Sequence, residues 1–215
     1  FSESLSSIGE VDKSVVAFTA AMATGTGVCR FMEVFKDRAF DVGIAEQHCV
    51  TMATAMSKGG LKPVVAIYST FMQRAVDQVF HDALLQRDVA MLLAMDRAGL
   101  VGEDGPTHHG LYDIGMLRSF PGIVLCSPMD AREMALMMKW ALDTGKVVGM
   151  RYPRDVIPAF PEVANVEPIQ LGKGVQLREG KDAAILAYGN MVRVALDAAK
   201  LLEKQGVNVS VANAR

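Results

Sequence analysis

Three polar loops concentrate the side chains of this chain that could do chemistry. In Asp41-Val42-Gly43-Ile44-Ala45-Glu46-Gln47-His48, an acid stands where a helical pattern begins. A helix N-terminus favours a carboxylate, and an ordinary terminal acid would need no further explanation. Tyr68-Ser69-Thr70-Phe71-Met72-Gln73-Arg74 offers two aromatic rings and a cation. An aromatic face suits a flat heterocycle and contributes about 1 kcal/mol; the plainer reading makes Phe71 core and Arg74 a solvated charge. The third loop runs from Asp96-Arg97 through Glu103-Asp104 to Thr107-His108-His109-Gly110. Its histidines can move protons near neutral pH. Arg97, together with the later Arg154, presents a guanidinium fork that fits phosphate oxygens bidentately, and Tyr68 could add a hydroxyl donor. Alternatively, each arginine pairs with a neighbouring acid, Asp96 or Asp155. Glu103, Asp104, His108, His109 and Asp113 superficially suggest a metal site. Their spacing matches no zinc pattern and HExxH is absent, so no metal ligand is assigned. His48 and His81 lie within helical patterns and read as structural.

Such loops need a frame. Apolar runs at 14–19, 63–68, 89–95, 123–126, 147–151, 183–188 and 207–211 read as strands. Between them apolar residues recur at helical spacing: Cys49, Met52, Ala53 and Met56; Met134, Met137, Met138 and Ala141; Val192, Leu196, Ala199 and Leu202. The alternation predicts an α/β fold, a mostly parallel sheet with helices on both faces. Val64-Val65-Ala66-Ile67 fits a fully buried central strand. In such sheets ligands sit beyond the carboxyl ends of the strands, where all three loops fall. Pro153, Pro158, Pro161 and Pro168 crowd a stretch without helical period, which reads as a linker. The expected organisation is a first domain over 1–160, a linker over 161–180, and the incomplete start of a second α/β domain over 181–215.

Bulk composition excludes several classes. A chain of 215 residues, 51% hydrophobic and 21% charged with net charge −2, gives no electrostatic case for nucleic acid or an anionic membrane. A globule of this size removes roughly 70% of its unfolded surface from water, so neither metal nor disulfide staple is needed. Cys29, Cys49 and Cys126 are odd in number and not in a CxxC pair; they read as reduced thiols of a cytoplasmic protein. No apolar run approaches a membrane span. The start at Phe1 and the end just after a strand-like run lead us to expect a piece of a longer chain.

The strings DVGIAEQH, VVAIYSTFMQRAVDQ, DRAGLVGEDGPTHHG and RYPR resemble, in order and approximate spacing, the pyrimidine-binding domain of 1-deoxy-D-xylulose-5-phosphate synthases, which are transketolase-like thiamine diphosphate enzymes. AAMATGTG at 20–27, AILAYGNMV at 184–192 and VNVSVANAR at 207–215 extend the likeness over nearly the whole chain. The resemblance implies that Glu46 hydrogen-bonds the aminopyrimidine ring nitrogen of the cofactor and favours its imino tautomer, whose neighbouring nitrogen removes the thiazolium proton. It implies that Phe71 stacks on that ring with Arg74 beside it. Asp104 and His108 would face the donor substrate, while Arg97, Arg154 and Tyr68 would hold the acceptor phosphate. His109 is the lesser participant. The family is expected to read RYPRG where this chain has Arg151-Tyr152-Pro153-Arg154-Asp155, and an acid beside Arg154 would partly neutralise it.

Further implications are thiamine diphosphate and magnesium as cofactors, and pyruvate and D-glyceraldehyde 3-phosphate as substrates condensed with loss of carbon dioxide. The parent would be a homodimer feeding isoprenoid, thiamine and pyridoxal synthesis. The GDG motif with a downstream Asn that holds the magnesium and diphosphate is absent from these residues, so the chain alone is expected to be inactive. Rival readings are another transketolase-like enzyme, a 2-oxoacid dehydrogenase beta-type subunit, or a non-catalytic α/β binding module.

Overall fold

The structure, a computed structural model, describes residues 1–215 except 158, 161, 162, 164 and 165. The chain divides into two compact units: residues 1–126 with 138–154, and residues 127–137 with 155–215.

The first unit is built on a six-stranded sheet. Its strands are β1 (Val15–Thr19), β2 (Ala39–Asp41), β3 (Lys62–Tyr68), β4 (Met91–Asp96), β5 (Val124–Cys126) and β6 (Val147–Arg151). They lie in the order β2-β1-β3-β4-β6-β5, and every pairing is parallel. All residues of β1 and β4 are buried, as are the middle five of β3. Strands covered on both faces lose the polar alternation of half-exposed ones, which is why 64–67 is apolar throughout. The helix Glu46–Lys58 buries Cys49, Val50, Ala53, Thr54 and Ser57, positions that share one helical face. Its Cys49, Val50 and Ala53 join Val65, Ile67 and Leu93 in the core.

The chain runs from β1 outward to β2, then returns to the other side of β1 as β3. The loops leaving β1 and β3 therefore diverge, and the crevice between them is where open parallel sheets receive ligands. The segment leaving β3 winds tightly as a 3-10 helix over Ser69–Ala75, passes one α-turn at Val76–Gln78, and widens to a π-helix over Val79–Leu84.

The second unit carries a three-stranded sheet of β7 (Val175–Arg178), β8 (Ala183–Ala187) and β9 (Val209–Asn213), in the order β7-β9-β8. β8 and β9 are parallel across the helix Met191–Glu203, whose Val192, Leu196 and Ala199 pack with Val209 and Val211. β7 pairs antiparallel with β9.

The periodicity-derived helices occur at 46–58, 131–143 and 191–203, and all seven expected strands occur with ends shifted by three residues or fewer. The sequence reading lacked β2, β7 and the opening helix Ser2–Val11. β2 and β7 are three and four residues long and only partly buried, too short for a period to show. The opening helix buries only Leu5, Ser6 and Gly9, so its apolar stripe is thin. Pro158 and Pro161 of the proline-rich stretch lie outside the described residues. Among the described residues no helix is long and apolar enough to cross a membrane.

Candidate functional site

Glu46 opens its helix after the short loop that leaves β2, and its side chain is 2% exposed. Asp41 holds that loop in place by accepting the N–H groups of Ala21 and Gly43 at 2.8 and 3.0 Å. Two neighbouring crossovers, those leaving β1 and β2, are thereby tied together by one carboxylate. Burying an unpaired carboxylate would be costly. The required partner is Arg74, whose Nη1 donates to Glu46 Oε1 at 2.8 Å. Arg74 is therefore no freely solvated charge, although half of its side chain remains exposed.

Arg74 reaches Glu46 from the 3-10 segment after β3. With three residues per turn, positions i and i+3 eclipse. Phe71 and Arg74 are such a pair, and the guanidinium carbon lies 4.9 Å from the Phe71 ring centroid. Phe71 also stacks on Tyr68 at 5.9 Å with rings 20° apart. The His108 ring meets Phe71 edge-on at 5.3 Å and lies 6.1 Å from Tyr68.

Arg97 continues this wall. Its guanidinium carbon sits 3.7 Å from the Tyr68 centroid, and its side chain is 8% exposed. Its backbone is left-handed, with φ of 61°, which costs a non-glycine residue about 1–2 kcal/mol. Three groups hold it there. Asp96 accepts both the Arg97 N–H at 2.6 Å and Nη1 at 2.9 Å, the Gly25 carbonyl accepts Nη1 at 2.9 Å, and Asp104 accepts Nε at 3.1 Å. The other oxygen of Asp104 accepts Arg154 Nη1 at 2.5 Å. One carboxylate thus bridges the two arginines.

Electrostatics follow from these partners. The hydrogen bond from Arg154 holds the Asp104 carboxyl below the usual range, and the same bond pushes the Arg154 guanidinium up. Burial raises the Asp96 carboxyl, with the nearby Arg97 charge opposing it. Burial also raises the Tyr68 phenol. Cys49, one turn along the helix from Glu46, is pushed up to about 12, first by burial and then by the Glu46 and Asp41 charges. Such a thiol stays protonated and unreactive.

All eight residues singled out from sequence lie in the first unit and form one run of contacts. It passes from Glu46 through Arg74, Phe71, Tyr68, Arg97 and Asp104 to Arg154, with His108 against the two rings. A cleft of about 220 Å³ is lined by Val101, Gly102, Glu103, Asp104 and Arg154. Both local-acid alternatives had named a partner; Asp96 does pair with Arg97, but the carboxylate on Arg154 is Asp104. Asp155 instead accepts its own neighbour's N–H, from Val156 at 2.7 Å. Asp113 is buried against Arg151 Nε at 2.9 Å. His109 Nδ1 accepts the Val101 N–H at 3.0 Å, His48 is exposed, and His81 bonds Asp77 at 2.7 Å. Gly25 is the participant that the sequence reading missed. The AAMATGTG string contained it, yet a glycine has no side chain to advertise a contact.

Comparison with known proteins adds to this geometry. The family profile described as "Transketolase, pyrimidine binding domain" matches residues 1–159, and "Transketolase, C-terminal domain" matches 172–215. Curated relatives named 1-deoxy-D-xylulose-5-phosphate synthase include those of Halothermothrix orenii (47% identical over 215 residues) and Aquifex aeolicus (46% identical over 215 residues). Each match covers 100% of this chain and 34% of the relative, so the chain spans about a third of their length. Among solved structures, one titled "Split gene transketolase, inactive beta4 tetramer" is 27% identical with a TM-score of 0.87, covering 99% of this chain and 68% of that one. A transketolase from Campylobacter jejuni shares the fold at 22% identity and a TM-score of 0.88, covering 99% of this chain and 34% of its own.

Proposed function

The chain belongs to the transketolase family of thiamine diphosphate enzymes, matching its pyrimidine-binding domain over 1–159 and its C-terminal domain over 172–215, and from that membership we propose that it is the cofactor-activating portion of a 1-deoxy-D-xylulose-5-phosphate synthase. The observation that carries this reading is the buried Glu46, paired with Arg74 beside Phe71, with Tyr68 stacked on Phe71 and Arg97 on Tyr68.

These residues fit the pyrimidine half of the cofactor. A buried carboxylate can share a proton with a ring nitrogen, and an aromatic face beside it can cover the ring. None of these residues is assigned to the diphosphate half of the cofactor. Magnesium and the diphosphate are assigned in this reading to residues beyond these 215, and the chain alone is inactive. When bound, the cofactor supplies the electron sink that makes decarboxylation of a 2-oxoacid feasible.

In this proposal Arg74 restrains Glu46 Oε1, and Oε2 would be left to share a proton with the aminopyrimidine ring nitrogen. Phe71 would cover the ring. His108, set against Phe71, exchanges a proton with the carbonyl oxygen of pyruvate and then of the aldehyde. Arg154 commits Nη1 to Asp104 and keeps its other donors for the phosphate of glyceraldehyde 3-phosphate; Asp104 holds both guanidiniums in register. The enzyme works as a homodimer.

The test is made in the complete enzyme. Glu46→Ala should slow exchange of the thiazolium proton by about two orders of magnitude or more, the usual scale for general acid–base catalysis. Pyruvate with glyceraldehyde 3-phosphate should give 1-deoxy-D-xylulose 5-phosphate and carbon dioxide. Unchanged exchange removes Glu46 from activation, whereas turnover with a ketose donor in place of pyruvate would make the enzyme a transketolase.

A further inference from the structure

We propose that Gly25 is a positioning residue, the seat that fixes Tyr68 and Arg97 at the acceptor end of the site; this rests on the reading of those two residues as the phosphate grip. Gly25 lies in the short helix Ala23–Thr26 after β1, across the crevice from β3. Its backbone is not left-handed, so an L-residue could adopt it. In a helix, alanine would ordinarily be the more stable residue. Backbone freedom does not explain a glycine here.

The space does. A Cβ on Gly25 would fall 1.6 Å from the Tyr68 hydroxyl oxygen, 2.7 Å from Cζ and 3.2 Å from Cε1. Its three nearest atoms therefore belong to one tyrosine. The same glycine gives its carbonyl to Arg97 Nη1 at 2.9 Å, and that guanidinium lies on the far partner, the Tyr68 ring, at 3.7 Å. Gly25, Tyr68 and Arg97 thus form a closed three-way joint. Tyr68 cannot retreat without cost, since its ring also stacks on Phe71. A methyl at position 25 drives the tyrosine hydroxyl away by more than an ångström, since 1.6 Å is far inside contact distance, and disturbs the arginine stacked on its ring. A displacement of that size beside a substrate can cost up to about a hundredfold.

The experiment uses the complete enzyme, with glyceraldehyde 3-phosphate and unphosphorylated glyceraldehyde as acceptors. Gly25→Ala should raise KM for the phosphorylated acceptor by about ten- to a hundredfold and leave the plain aldehyde and thiazolium proton exchange nearly unchanged. In a Tyr68→Ala background the same substitution should change that KM by less than about twofold, because the colliding ring is gone. A purely structural role would give the same penalty in both backgrounds, and that result overturns the proposal. If Gly25→Ala fails to fold, recovery on adding Tyr68→Ala supports the joint and continued unfolding refutes it. Should Tyr68→Ala itself treat both aldehydes alike, the phosphate reading falls first, and this inference with it.

Discussion

Arg97 and Arg154 looked equivalent as phosphate ligands, and their surroundings separate them. Arg154 is half exposed and makes one carboxylate contact, so removing it costs the fold little. Arg97 is buried and is the charged partner of a buried Asp96. On the proposed reading, Arg154→Ala should therefore raise KM for glyceraldehyde 3-phosphate about ten- to a hundredfold, as loss of one charge-assisted contact does. KM for pyruvate and the urea midpoint should hardly move. Arg97→Ala should in addition destabilise the protein by about 3 kcal/mol, because buried Asp96 loses its counter-charge and keeps only the backbone N–H of residue 97. Urea titration of both variants checks this. Equal stability losses would mean that Asp96 finds another partner.

The loop bearing Asp104 and His108 is closed at its neck. Gly99 and Gly110 exchange backbone hydrogen bonds, each at 2.8 Å, across the loop between them. A Cβ on Gly110 would lie 2.4 Å from the Arg97 carbonyl oxygen and 2.4 Å from Ser69 Oγ. The neck thus presses on the start of the 3-10 segment that carries Phe71 and Arg74. Gly110→Ala should break the neck and destabilise the protein by about 1–3 kcal/mol, as overpacking does. Hydrogen exchange at the Gly99 amide should accelerate relative to the amides of β4. Undiminished protection at Gly99 would show that the neighbours yield without opening the loop. His109 serves this loop too, through Val101, while His108 faces the rings.

The end of the sheet opposite the site is tied by charge. Asp12 accepts Ser14 Oγ at 2.5 Å and Ser14 N–H at 2.9 Å, and pairs with Lys62 Nζ at 2.9 Å; Lys62 also bonds Asp143 at 2.8 Å. These bonds, that of Ser14 foremost, lower the Asp12 carboxyl from 3.8 to about 2, while Asp143 and Asp12 raise Lys62. A lowered acid stabilises the fold above its unfolded value and loses that contribution as pH falls through the folded one. For Asp12 the window runs from about pH 4 down to about pH 2. For Lys62 the sign is opposite: its contribution is complete below 10.5 and lost as pH rises beyond it. Urea midpoints should therefore decline more steeply between pH 4 and 2 in the wild type than in Asp12→Asn. Parallel declines would show that Asp12 is as well solvated in the folded chain as in the unfolded one.

Much of this protein was legible in its residue order. Apolar runs without alternation announced strands covered on both faces, and 3.6-residue spacing located the helices that cover them. The ordered strings around Glu46, Phe71, Arg97 and Arg154 pointed to loops at one edge of the sheet, because local polarity and turn chemistry are written along the chain. Which partners these groups take was not legible. Glu46 and Arg74 are 28 positions apart, and Asp104 and Arg154 are 50 apart. Only the order β2-β1-β3-β4-β6 brings their loops together, and an adjacent acid such as Asp155 is a poor guide when a distant one fits the fork better. The 3-10 winding that sets Arg74 beside Phe71 was not legible either, since seven residues are too few for a period to show. Gly25 was the hardest to see. Its contribution is the room it leaves, and empty space acquires meaning only when Tyr68 arrives from another strand to fill it.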